Sequence, residues 1–182
     1  VPSLYFDYIR TGDARPLTSV FYHNAMDIVS MAALLNHIAT LLTDPLNTDV
    51  GSGIDLVALG RIFQDFGYYD EASDLYATAL KSILPKDIRR KALFNWSYME
   101  KRRDNLSVAV ELWENAAAEE EIFAHIELAK YYEHRKKNII QAIVWTQTAL
   151  NLVNARKFSI LEQQQLLPQI EHRLARLNRK NS

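Results

Sequence analysis

Residues 55–85 read DLVALGRIFQDFGYYDEASDLYATALKSILP, and this stretch decides the fold. Leu56, Leu59, Gly60 and Phe63 precede Gly67, and Tyr69, Ala72, Tyr76 and Ala79 follow it. The two runs read as consecutive antiparallel helices. Gly60 and Ala72 are small where two such helices must approach closely, and the larger side chains fill the space between them. Gly67 sits at the turn, where a residue without Cβ reaches conformations closed to others.

Working outward, the Ala72/Ala79 pair recurs as Ala109/Ala116 and Ala142/Ala149, each with a spacing of seven residues. The copies are offset by 37 and then 33 residues. Trp113 in VAVELWENAA and Trp145 in QAIVWTQTAL accompany the second and third copies. Their first helices are ALFNWSYMEKR and AHIELAKYYEHR, each ending in a basic turn. These residues and offsets resemble the tetratricopeptide repeat, whose period is about 34 residues. Pro85 stands one place past the family's usual terminal proline, and RRDN and KKN replace its turn glycine in the later copies.

The resemblance implies an all-α chain. Residues 49–155 are expected to form three antiparallel helix pairs, stacked as a tetratricopeptide-like α-solenoid in a right-handed superhelix. Such a stack needs an end cap, and residues 156–182 supply one. Leu167, Ile170, Leu174 and Leu177 form an apolar stripe there at helical spacing. Pro168 is expected to start or kink that helix. Arg173, Arg176, Arg179 and Lys180 make the end basic, which reads as a solvated helix terminus favoured by the helix dipole.

The global numbers narrow the function classes. A chain of 182 residues fits one domain, or one plus a fragment. With 21 basic and 22 acidic side chains the formal charge is −1, so no global field drives the chain onto nucleic acid or membrane. The absence of cysteine excludes disulfides and thiolate metal sites and fits a reducing, cytoplasmic location. No apolar run is expected to approach the ~20 residues of a membrane span. The N-terminus has no basic-then-apolar signal pattern and no initiator Met, so the chain reads as cut from something longer.

Residues 20–35, VFYHNAMDIVSMAALL, carry the one unusual polar cluster. Asn24 is a favoured N-cap residue, and Asp27 falls three places later, near the positive end of a helix starting at Ala25. Ile28, Met31, Leu34, Leu35, Ile38, Leu41 and Leu42 are expected to form its buried stripe.

The succession of PSLYFDYIRTGD, VFYHNAMDIVSMAALL and the repeats, with IELAKYYEHRKKN and IEHRLARLNRK behind them, is similar to the C-terminal part of YprB-type proteins. Those proteins join a ribonuclease-H-like domain of the DEDD exonuclease superfamily to helical repeats. In that superfamily acidic residues from three motifs hold two divalent cations, Mg or Mn. The third motif places an aspartate on a helix, behind a tyrosine or histidine that orients the attacking water. Metal-bound carboxylates and a positioned water are what an in-line phosphodiester displacement requires.

The resemblance implies that residues 1–48 are a helical remnant of the exonuclease domain. It gives Asp27 as the last metal ligand and His23 as the water-orienting position, with Tyr22 a second candidate. The tyrosine form of the motif has three residues before the aspartate and the histidine form four, whereas here His23 takes the shorter spacing and Tyr22 the longer. One carboxylate does not hold two hard cations. The chain as given is therefore expected to be non-catalytic and without cofactor, with Mg or Mn and any 3′–5′ exonuclease activity belonging to a full-length parent.

No other motif competes. HExxH, P-loop and GxSxG patterns are absent, and His125 and His134, nine residues apart, do not share a ligand face. Asp65, Asp70, Glu71 and Asp74 read as a solvated face, and Glu119, Glu120 and Glu121 as a helix-start charge run. What remains is the concave surface of the stack. Outward positions expected there are Arg61, Gln64, Lys91, Asn95, Tyr98, Glu127, Tyr131 and His134, a mixture that suits an extended peptide or acidic tail. Lys91 and Asn95, one turn apart, resemble the clamp some tetratricopeptide proteins use for a terminal carboxylate. Between Lys86 and Asp104 seven cations face three acids, and Arg89, Arg90, Arg102 and Arg103 are the candidate phosphate contacts. Two functions follow: the interaction module of a nuclease-like protein, or a stand-alone adaptor for a protein or peptide with no link to a nuclease.

Overall fold

The computed structural model of the chain describes residues 2–46, 52–155 and 160–181, and among them all regular structure is helical. The chain divides into two compact units, Val1–Gly51 and Ser52–Ser182. The boundaries expected at 48/49 and 155/156 both touch residues outside the described ones.

In the first unit α1 spans Pro2–Thr11, a 3₁₀ turn spans Arg15–Leu17, and α2 spans Thr18–Thr43. Pro16 lies in the first turn of the 3₁₀ segment, where its missing N–H costs nothing, and the segment runs straight into α2. Asn24 therefore lies inside a helix rather than at its start, which corrects the expected cap. The reason is local: nothing in TSVFYHN breaks a helix, and a mid-helix Asn costs only about 0.7 kcal/mol relative to Ala. The expected buried stripe is corrected as well. Leu41 is buried, but Ile28, Met31, Leu34, Leu35, Ile38 and Leu42 are exposed.

The continuous stretch Arg15–Thr43 is long and apolar enough, by length and composition alone, to cross a membrane. That corrects the expectation that no run approaches span length. His23, Asn24, Asp27, Asn36 and His37 interrupt its apolar surface.

In the second unit α3 (Gly53–Asp65) packs on α4 (Tyr69–Lys81), α5 (Lys86–Arg102) on α6 (Leu106–Ala118), and α7 (Ile122–His134) on α8 (Ile139–Ala155). Helix α9 (Ile160–Asn181) packs on α8. Ser52 starts α3 with a capping box, its hydroxyl accepting from the Asp55 amide while the Asp55 carboxylate accepts from the Ser52 amide. The helix ends with Gly67 at φ +85°, and the Tyr68 amide donates back to the Phe63 carbonyl, a Schellman closure. The α5–α6 turn closes the same way without glycine: Asp104 has φ +58°, and the Asn105 amide donates to the Glu100 carbonyl. At the α7–α8 turn Lys137 takes φ +54°, and the loop is one residue longer. RRDN and KKN thus replace glycine in sequence while retaining a left-handed residue.

The core follows the alanine pattern. Ala72, Ala79, Ala109, Ala116, Ala142 and Ala149 are all fully buried. Trp113, Leu93, Leu112 and Leu128 fill one cluster, against which Trp96 and Trp145 pack. Ile122, Val153 and Ile170 form a second, joining α7, α8 and α9. Ile170 and Leu177 carry the buried stripe of α9. Pro168 does not start that helix but lies inside it. Its exposed ring is turned away from the core, so the lost backbone hydrogen bond falls on the solvated side.

Candidate functional site

Asp27 and His23 lie one turn apart on α2 and so share a face, while Tyr22 points elsewhere around the helix. All three are exposed. Among the described residues no three His, Asp or Glu side chains gather where they could hold a metal. The residues present do not fit a two-metal cage.

The expected concave face separates into two grooves within the second unit. Arg61 and Gln64 of α3, with Tyr69, Met99, Arg102 and Arg103, line one of about 360 Å³. Its charges are largely matched: Arg61 pairs with Asp65 at 3.0 Å, and Arg103 with Asp70 at 2.6 Å. Gln64 accepts from the Tyr76 hydroxyl at 3.0 Å. Burial pushes that phenol up to about 12, against the opposing charge of Arg61 and a hydrogen bond with Asn95. Asn95 is half-buried, and Lys91 is exposed beside Asp87 at 3.8 Å.

The second groove, of about 260 Å³, lies between α5, α6 and α7. Tyr131 and His134 line it as expected. Glu127 borders it too, but it was expected outward and is 1% exposed. Its carboxylate accepts from Tyr98 at 3.1 Å, Lys101 at 2.5 Å and Lys130 at 2.6 Å. The physical reason is that a carboxylate enters a helical core only when cations follow it. Burial pushes the Glu127 carboxyl up, but the hydrogen bonds from Lys101 and Lys130 outweigh that and hold it below the usual range. Burial, and then the Glu127 charge, raise the Tyr98 phenol.

One turn and a half further along α7, Glu133 is also buried. Arg173 and Arg176 donate to one carboxylate oxygen at 3.0 and 2.6 Å, and Lys180 to the other at 2.7 Å. The His134 ring stands 3.5 Å away. Burial opposes ionisation of Glu133, but the Lys180 hydrogen bond and the neighbouring charges of His134 and Arg176 keep its carboxyl below the usual range. The basic end of the chain is therefore not simply a solvated terminus: three of its four cations fasten α9 to α7.

The candidate phosphate patch breaks up. Arg89 donates to Glu119 at 2.6 Å and to the Leu80 carbonyl at 3.0 Å, linking the ends of α4, α5 and α6. Arg103 is held by Asp70 and lies 5.5 Å over the Tyr69 ring. Arg90 and Arg102 remain exposed, on opposite ends of α5. The cations that do gather, Lys101, Lys130, Arg135, Arg173, Arg176 and Lys180, were missed because three separate helices supply them. One signal was present. Glu133 lies one turn after the fully buried Ala129, so an acid on that face calls for cations from elsewhere in the chain.

Residues 1–39 match a family model described as the RNase_H superfamily. Over its full length the chain is 30% identical, across 186 aligned positions, to "Uncharacterized protein YprB" of Bacillus subtilis (strain 168). The chain spans 43% of that relative's length. This helical chain is thus similar to YprB from end to end, and its first 39 residues are similar to the RNase_H superfamily.

Proposed function

We propose that this chain is the helical interaction module of a YprB-type, ribonuclease-H-like protein, and that it does not catalyse on its own. The second unit is read as three tetratricopeptide-type helix pairs closed by a capping helix. One observation carries that reading: the alanine pairs of all three copies, on α4, α6 and α8, are fully buried, and these helices pack on α3, α5 and α7 in turn. A seven-residue spacing puts both alanines of a pair on one face, two turns apart, which lets neighbouring helices approach along their whole contact.

The first unit is read as the end of the nuclease-like fold, supported by the match of residues 1–39. In that reading Asp27 descends from a metal ligand, and the apolar surface of α2 is one that protein covers in the parent. Mg or Mn then belongs to the parent, where other carboxylates complete the cage. The module positions a partner or substrate for that domain in the cytoplasm.

The test is a nuclease assay on the pure chain with labelled single-stranded DNA and RNA and either Mg²⁺ or Mn²⁺. No turnover is expected. Turnover that Asp27→Ala abolishes would overturn the non-catalytic reading.

A further inference from the structure

The six cations around Glu127 and Glu133 outnumber the acids they meet. Lys101 and Lys130 hold Glu127, Arg173, Arg176 and Lys180 hold Glu133, and Arg135 pairs with the exposed Asp104 at 3.2 Å. Three acids thus serve six cations, in a chain whose formal charge is −1. The excess is local and continuous. Lys130 lines both the groove between α5, α6 and α7 and a smaller cavity of about 70 Å³ beside Arg173. Glu127 and Glu133 stand about 9 Å apart along the axis of α7 at 1.5 Å per residue. The positive charge is therefore drawn out as a track over α5, α7 and α9 rather than focused on one point.

One aromatic group accompanies the track. Tyr131 is half-buried between the two carboxylates, with the Lys136 ammonium 5.8 Å from its ring centre.

We propose that the strip running from Lys101 through Lys130 and Arg173 to Lys180 is a track for the backbone of single-stranded nucleic acid. Successive phosphates share the excess cations, and Tyr131 offers a stacking surface. A cationic groove with sparse aromatic groups is the arrangement by which single strands are held without base readout. An acidic peptide would meet the same cations, and the experiment below separates the two ligands. The inference rests on the reading that the chain serves a nuclease-like protein, and it moves the contact away from Arg89 and Arg103.

The experiment measures binding of the full chain to a labelled oligothymidylate and an oligouridylate of about 20 nucleotides, across a salt series. The test variant is Lys130→Gln/Arg135→Gln/Arg173→Gln, which leaves Lys101 on Glu127 and both Arg176 and Lys180 on Glu133. Each phosphate contact contributes about 0.7 to the salt slope, so the slope should flatten by about 2. At 0.1 M salt that corresponds to about a hundredfold weaker binding. Glu127→Gln/Glu133→Gln should move the other way and tighten binding, because the carboxylates no longer compete for the cations. That opposite sign separates a charge effect from damage to the fold, and circular dichroism of both variants checks the fold directly. Arg90→Gln/Arg102→Gln should leave binding within twofold of wild type.

If the wild-type chain binds oligonucleotides but the strip variants do not change it, the track is misplaced while the nuclease-module reading stands. If the wild-type chain binds a polyglutamate peptide and no oligonucleotide at low salt, the track and the nucleic-acid role fall together.

Discussion

Gly60→Ala offers the sharpest check on how the first helix pair is built. In an exposed helix the change would stabilise by about 1 kcal/mol, because alanine restricts the unfolded chain and glycine does not. Here a Cβ at position 60 would lie 3.0, 3.1 and 3.2 Å from Cε1, Cδ1 and Cζ of Tyr76. The ring must give by a few tenths of an ångström, and it is held on every side. It is fully buried, its hydroxyl donates to Gln64, and its face stacks on Trp96 at 6.4 Å between centroids. Trp96 is itself fixed, since its indole donates to Ser73 and Glu100 at 3.2 Å each. Overpacking of this kind costs roughly 1–3 kcal/mol. Set against the propensity gain, the expected net is a loss of about 1 kcal/mol, with sign opposite to propensity. Urea unfolding followed by far-UV circular dichroism measures it. In the background Tyr76→Leu the same substitution should turn neutral or stabilising, giving a coupling of about 1 kcal/mol or more in a double-mutant cycle. A Gly60→Ala chain that is more stable than wild type with Tyr76 intact would refute the close approach of α3 and α4.

Glu133→Ala should release α9: the three cations are partly solvated and can rehydrate, so the loss is about 1–3 kcal/mol, read as faster hydrogen exchange in residues 163–181. Stability should also fall on acidification. Glu127 and Glu133 have carboxyls held below their unfolded values, so the folded chain binds fewer protons and their contribution is complete above the unfolded value of about 4.3. It is lost as pH drops through the depressed folded values, and Glu127→Gln/Glu133→Gln should flatten a melting-temperature profile between pH 5 and about 3. Lys137→Gly should stabilise by about 0.5–1 kcal/mol, since a left-handed backbone costs a non-glycine residue roughly 1–2 kcal/mol and glycine's extra freedom returns part of it. A melt lower than wild type would show that the Lys137 side chain holds the turn.

The all-helical character, the three helix pairs and the α9 stripe were legible in the sequence because spacing alone carries them. Alanines seven residues apart mark helix seams wherever the chain goes, and Ile170 and Leu177 fall on one face whatever that face meets. The ends of α2 were less legible. Asn24 has the right chemistry for a cap, but helix ends depend on whether the preceding residues stop propagation, and here they do not. The charges were least legible of all. The stretch from Lys86 to Arg103 is dense in cations, yet Arg89 and Arg103 find Glu119 and Asp70 on neighbouring helices. Glu127 looks like one more surface acid until α5 brings Lys101 against it. The C-terminal cations look solvated until α9 lies along α7 and Glu133 collects them. Periodicity is a property of one helix and can be read from its own residues. The partner of a charge, and hence whether that charge is free for a ligand, depends on residues 26 to 47 positions away that only packing brings within hydrogen-bond reach.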